Sequence, residues 1–326
     1  MTNPMTAATA FIFPGQGSHS VGMGRDLAAT FSAARAVFEE VDDVLDQKLS
    51  RLIFEGPSDE LTLTENAQPA LMAVSMAALR ALEQETGRGL ADMAGLVAGH
   101  SLGEYTALAA AGAFTIGEAA RLLRLRGQAM QRAVPPGAGA MAALLGASLE
   151  QARAICAQAQ SQGTGDMDDL VEIANDNGGG QVVISGSLAA VDRAIELAKA
   201  EGVKRAMKLP VSAPFHCALM APAAEAMRAA LAQTPPRAPL VPLVANVTAG
   251  ILTDPAAITA SLITQVTATV RWSESVSFMA RHGITRAVEL GAGKVLAGLI
   301  RRIAPDIETF SAGTPAELEA VITHVQ

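Results

Sequence analysis

Leu96-Val97-Ala98-Gly99-His100-Ser101-Leu102-Gly103-Glu104-Tyr105 is an apolar run that ends in G-x-S-x-G and continues into an alanine-rich segment. The run predicts a buried strand, the glycines a tight turn and the alanines a helix. Gly99 and Gly103 leave room for the backbone to reverse and for helix to pack on strand. Ser101 is therefore expected on a strained elbow with its hydroxyl exposed, the geometry of a nucleophile. The helix expected over Ala107 to Ala111 turns its free N–H groups and positive dipole end toward any oxyanion at Ser101, with the Leu102 N–H as one donor. G-x-S-x-G also arises by chance in Gly/Ser loops, so the strand before it and the helix after it are what give it weight.

The totals allow such an α/β layering. The chain has 326 residues, enough for one large domain or a large and a small one with a sizeable core. Half the residues (50%) are apolar but only 3% are aromatic, so Ala, Leu, Val, Ile and Met carry the packing, which suits helices laid on a sheet. A formal charge of −8, with no basic run longer than pairs such as Arg301-Arg302, argues against a nucleic-acid partner. Cys156 and Cys217 lie far apart and form no C-x-x-C pair, as expected in a reducing cytoplasm. A polar leader without a cationic n-region precedes Phe11-Ile12-Phe13, and no apolar window runs for the ~18 residues of a membrane span. A cytoplasmic protein away from membranes is expected, with no metal or cofactor called for.

Outward from the elbow, Ala10 to Phe13 reads as a buried strand stopping at Pro14-Gly15-Gln16-Gly17-Ser18. This loop lacks the Lys of a P-loop and the full G-x-G-x-x-G spacing, so the favoured role is to aim the Gln16 N–H at the Ser101 oxyanion; an ordinary strand-to-helix turn is the alternative. Asn66-Ala67-Gln68-Pro69 precedes a long helix over Ala70 to Glu85, and Gln68 either lines the site or caps that helix. The helix opening at Ile116-Gly117-Glu118 carries Arg121, Arg124 and Arg126. Arg121 and Arg124 share a face and are expected in solvent, while Arg126 lies roughly 200° round from Arg124, among Leu125, Gly127 and Met130. A buried guanidinium wants a carboxylate to fork onto, and a structural salt bridge is the bland reading of Arg126.

Pro135-Pro136-Gly137 is a linker, and strand and helix signals from Ala140 to Leu209 follow in the order β-α-β-β-α-β of a ferredoxin-like unit. This places a small inserted domain at 136–209, between 1–135 and 210–326. Asn175-Asp176-Asn177-Gly178-Gly179-Gly180 reads as its hairpin connection, with a ligand role for Asn175 secondary. The chain returns through Pro210-Val211-Ser212-Ala213-Pro214-Phe215-His216-Cys217, too proline-rich to be regular and suited to an active-site loop. Among His19, His100, His216, His282 and His324, His216 is the best general base, because the others sit beside the elbow, after the first loop, at a helix end or at the terminus. Cys217 reads as a buried filler. Leu243 to Val247 is expected as a strand, Ile258 to Val266 as a helix and Ala287 to Leu290 as a last buried strand. Gly291-Ala292-Gly293-Lys294 imitates a phosphate loop, but Val295 replaces the Ser/Thr that would hold magnesium, so a helix-starting turn is expected.

Taken together, Pro14 to Ser18, Gly99 to Tyr105, Arg124-Leu125-Arg126-Gly127, Phe215-His216-Cys217-Ala218-Leu219-Met220 and Gly291 to Leu296 make the chain similar, from Phe11 to about Ile303, to the malonyl-CoA:acyl carrier protein transacylases of bacterial type II fatty acid synthesis. The resemblance implies an α/β-hydrolase-like core with a parallel sheet and a ferredoxin-like insert. It implies Ser101 as nucleophile and His216 as base. It also implies a third member that is a backbone carbonyl, on the glutamine seven residues before the tryptophan, here Gln265. Arg126 takes the family's malonyl-binding position, which reverses the salt-bridge reading. Phe215 resembles the bulky choice that goes with malonyl over branched acyl groups. Gly179 departs from the proline often found in the family's Asn-x-Asn turn, which touches only the stiffness of that turn. The implied substrates are malonyl-CoA and the phosphopantetheinyl acyl carrier protein, with no cofactor and a monomer expected. Lys204, Arg205 and Lys208 are the expected basic docking patch for that acidic partner. The alternatives are a serine esterase or thioesterase using water as acceptor, a malonyltransferase of a malonate decarboxylase or polyketide system, and a non-catalytic subunit binding through the same cleft.

Overall fold

The computed structural model describes residues 8–163, 169–211 and 213–325; the leader of residues 1–7 and the side chain of His324 lie outside the described residues. In chain order the strands are β1 (Thr9–Phe13), β2 (Leu96–Gly99), β3 (Gly139–Leu145), β4 (Val171–Asp176), β5 (Gln181–Ser187), β6 (Arg205–Lys208), β7 (Leu243–Val244), β8 (Ile251–Leu252), β9 (Arg286–Leu290) and β10 (Glu308–Ala312). They form two sheets. The larger runs β10-β9-β1-β2-β7-β8, its first five members parallel and β8 closing the edge antiparallel.

Ala10 to Phe13 in β1 and Leu96 to Ala98 in β2 are apolar without alternation because helices cover both faces of the sheet. Phe11, Phe13 and Val97 enter one core cluster with Leu102 and Tyr105, while Ala10, Ile12 and Ala98 enter another on the opposite face with Trp272 and Leu299. Full burial of an aromatic or branched side chain of this kind contributes about 1.5–3 kcal/mol. The helix expected from Ala70 begins at Thr64 and runs to Thr86, with Pro69 inside it. The residue before proline disfavours helix locally, but the segment from Asn66 to Leu79 is buried throughout, and tertiary packing overrides the local preference. Gln68 therefore lies within the helix and caps nothing.

The second sheet runs β4-β5-β3-β6 and is antiparallel throughout. Helices Leu149–Ser161 and Leu188–Ala200 pack on it around a separate core that includes Leu144, Ile155, Ile184 and Val191. It is tied to the larger body where Val270 N–H donates to Ala174 O at 2.9 Å and Asp176 N–H donates to Val270 O at 3.0 Å. Lys204 and Arg205 are exposed on its rim, and Lys208 pairs with Asp192 at 2.7 Å.

The strand expected to Val247 ends at Val244, and a turn closed by Ala245 N–H to Gly250 O carries Asn246 toward the elbow. The phosphate-like loop starts helix Val295–Ile303 as expected, and the Glu289 carboxylate accepts the N–H groups of Leu296 at 3.1 Å and Ala297 at 2.8 Å. The chain's own acidic side chain fills the place a phosphate would take. Among the described residues no helix is long and apolar enough to cross a membrane.

Candidate active site

The elbow forms because strand and helix cross at backbone distance. A Cβ on Gly99 would stand 1.9 Å from Gly103 O, and one on Gly103 would stand 2.2 Å from Phe13 O, so neither position admits a side chain. Ser101 between them has φ 54° and ψ −110°, a conformation that persists only where the surroundings enforce it. Asn246 supplies part of that enforcement: its Oδ1 accepts the Ser101 N–H at 2.8 Å and its Nδ2 donates to Gly99 O at 2.7 Å. The helix starts at Leu102 rather than Ala107 and runs to Ala110. Leu102 is thus its first residue, with an N–H that has no acceptor inside the helix.

The Ser101 hydroxyl lies 2.8 Å from His216 Nε2. His216 Nδ1 lies 2.9 Å from the backbone oxygen of Gln265, so Nδ1 carries the proton and donates it in a hydrogen bond to that carbonyl, leaving Nε2 as the acceptor facing the serine. Burial, and after it the charge of Arg126, pushes His216 down to about 3, so the imidazole is neutral at physiological pH. The rivals are engaged elsewhere. His100 Nε2 meets Asn177 Oδ1 at 2.9 Å, His19 Nε2 meets Thr62 Oγ1 at 3.3 Å, and His282 Nδ1 bonds Phe278 O at 2.9 Å. Cys217 donates to Pro214 O, and burial pushes its thiol up to about 11. It is inert filler.

Arg126 is buried beside the serine, as the helical spacing predicts, but its partners are not the carboxylate that burial calls for. Nη1 donates to Gln68 Oε1 at 2.9 Å, and Nη2 donates to Gln265 Oε1 at 2.9 Å and to Ser101 Oγ at 3.1 Å. Its charged carbon lies 5.6 Å from the centre of the Tyr105 ring. A carboxylate is reached only at one remove, where Gln265 Nε2 donates to Glu104 Oε2 at 3.0 Å. Neutral amides hold the cation in place without neutralising it. Arg121 is exposed as expected, whereas Arg124 is half-buried and donates to Asn66 Oδ1 and Gln47 Oε1, so sharing a helix face does not put both in solvent.

A cavity of about 590 Å³ opens onto these groups and is lined by Gln16, Gln68, Ser101, Leu102, Arg126, Asn175, Phe215 and His216, with Met130, Met141, Leu209 and Val211 supplying apolar wall. Gln265 stands behind that wall, where its backbone serves His216 and its side chain serves Arg126. Gln16 is half-buried, and its side-chain amide reaches Thr64 Oγ1 at 3.5 Å. Asn246 and Glu104 join the site without having been expected there. The available signals were a lone amide in the apolar run Val244-Ala245-Asn246-Val247 and a lone acid in the apolar segment after the elbow.

Residues 10–304 match the family model described as "Acyl transferase domain". A protein of Bacillus subtilis (strain 168) called malonyl CoA-acyl carrier protein transacylase is 44% identical over 313 residues, covering 96% of each chain. The crystal structure of an acyl-carrier-protein-S-malonyltransferase from Bartonella henselae superposes with a TM-score of 0.93 at 53% identity, over 97% of this chain and 99% of that one. A malonyl-transacylase solved in complex with a holo type II PKS acyl-carrier protein superposes with a TM-score of 0.91 at 40% identity, over 97% and 99% of the two chains.

Proposed function

The chain belongs to the acyl transferase domain family, and on that premise we infer that it carries a malonyl group from coenzyme A to the phosphopantetheine thiol of acyl carrier protein through a malonyl-serine intermediate. It is an S-malonyltransferase, and its service is fatty acid synthesis. The observation that carries the reading is the buried Arg126 guanidinium, hydrogen-bonded to no carboxylate among the described residues and within 3.1 Å of the Ser101 hydroxyl. A free carboxylate on the acyl group meets a matching charge there, and an acetyl group offers it nothing.

The chemistry follows from the distances. His216 Nε2 takes the Ser101 proton as Oγ attacks the thioester carbon, and the imidazolium that forms is held by the Gln265 carbonyl. The backbone N–H groups of Gln16 and Leu102 receive the oxyanion. As the carbon–sulfur bond breaks, His216 returns the proton to the coenzyme A thiolate. The carrier-protein thiol then gives its proton to His216 and attacks the malonyl ester, and the serine recovers its proton as the ester opens. Gln68 steadies Arg126, while Phe215 and Asn175 shape the acyl end of the cavity. Every group used comes from one chain, so a monomer suffices, and none of these steps calls for a cofactor.

The architecture is read as an α/β-hydrolase-like catalytic domain at 1–135 and 210–326, supported by the five parallel strands and the serine elbow. The segment 136–209 is read as a ferredoxin-like domain, supported by its β-α-β-β-α-β order and antiparallel β4-β5-β3-β6 sheet. Two buried, unpaired cysteines fit the cytoplasm. The function is tested by transfer: holo acyl carrier protein mixed with malonyl-CoA and the chain should gain malonyl far faster than water releases free malonate. Release to water at a rate matching or exceeding transfer would make the chain a hydrolase instead.

A further inference from the structure

Glu104 lies one helical turn beyond the nucleophile and is fully buried. Its Oε2 accepts two hydrogen bonds, from Asn246 N–H at 2.9 Å and Gln265 Nε2 at 3.0 Å, while its Oε1 is buried without a hydrogen-bond partner. A carboxyl that merely filled space here would be a poor choice, because a half-partnered buried acid is expensive to desolvate and an apolar side chain of similar size is not. Its two partners are the groups through which the site is held. Asn246 grips the elbow on both flanks, at Ser101 N–H and Gly99 O. Gln265 donates to Ser101 O at 3.0 Å, accepts from Arg126 Nη2 at 2.9 Å and presents its backbone oxygen to His216 Nδ1 at 2.9 Å.

We propose that Glu104 is the positioning residue of this site: its buried carboxyl, acting through Asn246 and Gln265, holds the strained Ser101 elbow, the carbonyl behind His216 and the Arg126 guanidinium in one arrangement. The role rests on Ser101 being the nucleophile. Without Glu104 the Asn246 backbone N–H loses its acceptor and the Gln265 side-chain amide loses one of its acceptors, so the elbow, the carbonyl behind His216 and the Arg126 guanidinium shift relative to one another. The charged and titratable groups that act on Glu104 are Arg126 from helix Ile116–Ala133 and Tyr105 on its own helix; Asn246 and Gln265 are neutral amides. Burial, opposed by the bonds from Asn246 and Gln265, pushes the carboxyl up to about 7, so its stronger-accepting ionised form appears across the neutral range. His216, held near 3, does not titrate there.

The test compares the wild type with Glu104→Ala and Glu104→Gln in the full chain, reading the single-turnover rate of Ser101 modification by intact mass. Malonyl-CoA and an uncharged alkyl fluorophosphonate serve as separate reagents, with melting temperature measured alongside. Since a displacement of about 1 Å can cost about 10²-fold, the Ala variant should react about 10²-fold more slowly with both reagents, and its malonyl-to-acetyl preference should shrink. The wild-type rate should rise from pH 6 to 8 as the carboxyl ionises, and the Gln variant, which keeps an acceptor but cannot ionise, should lack that rise. A folded Ala variant with wild-type rates would overturn the proposal. If the Ala variant does not fold, a Gln variant that retains the wild-type pH profile would overturn it equally. The phosphonate keeps the two questions apart, because a wild type that takes phosphonate on Ser101 but no malonyl group ends the malonyl reading while still testing Glu104.

Discussion

Arg126 is the proposed reader of the acyl group because no carboxylate among the described residues hydrogen-bonds its guanidinium. Two glutamine oxygens and a serine hydroxyl orient the guanidinium, so its charge awaits a ligand carboxylate. Replacing it with Ala should leave acetyl transfer nearly unchanged and lower malonyl transfer by on the order of 10- to 150-fold, the worth of a hydrogen bond to a charged group. Competition between malonyl-CoA and acetyl-CoA measures this, and an unchanged preference would remove Arg126 from the role. Glu104 yields a prediction of opposite character. Its folded-state value of about 7 lies above the ordinary 4.5, so its stabilising contribution is complete below 4.5 and is lost as pH rises through 7. Glu104→Gln should therefore gain melting temperature relative to the wild type as pH rises from 4.5 to 7, and a difference that stays flat with pH would contradict the burial argument. Ser101 and Arg126 were legible in the sequence because elbow spacing and helical phase are local signals. His216 emerged by elimination. Gln265 meets His216 through a backbone carbonyl, which leaves no side-chain signature, and only family resemblance pointed to it. Asn246 and Glu104 escaped notice because their bond joins residues 142 positions apart.

At the scale of elements, the site depends on how closely two helices approach. Gly127 follows Arg126, and a Cβ there would stand 2.6 Å from Glu65 Cα and Thr64 O on the long helix. That contact sets the reach from Arg126 to Gln68. Gly127→Ala should push the helices apart, destabilise the fold by about 1–3 kcal/mol in urea unfolding and weaken malonyl preference. A variant with wild-type stability and selectivity would show that the approach is not limiting. Elements were legible where the period was strong, as in the strands around Phe11 and Val97 and the β-α-β-β-α-β run. Boundaries failed where long-range packing overrode a local rule, at Pro69 inside its helix and at Asn246 just past a shortened strand.

At the scale of the molecule, the cavity lies where the two sheets meet, with Ser101 and Arg126 on the larger body and Asn175 and Met141 on the smaller. The basic rim at Lys204 and Arg205 belongs to the smaller sheet and is free to meet an acidic partner. Reversing both charges should slow carrier-protein malonylation by on the order of tenfold at low salt while sparing the reaction with malonyl-CoA. Equal kinetics would move the docking surface elsewhere. The covalent intermediate on Ser101 is directly visible to intact-mass analysis. After mixing with malonyl-CoA the chain should gain one malonyl group, mapped to Ser101, absent from Ser101→Ala and discharged by holo acyl carrier protein. No adduct, or an adduct that acyl carrier protein leaves in place, would contradict it.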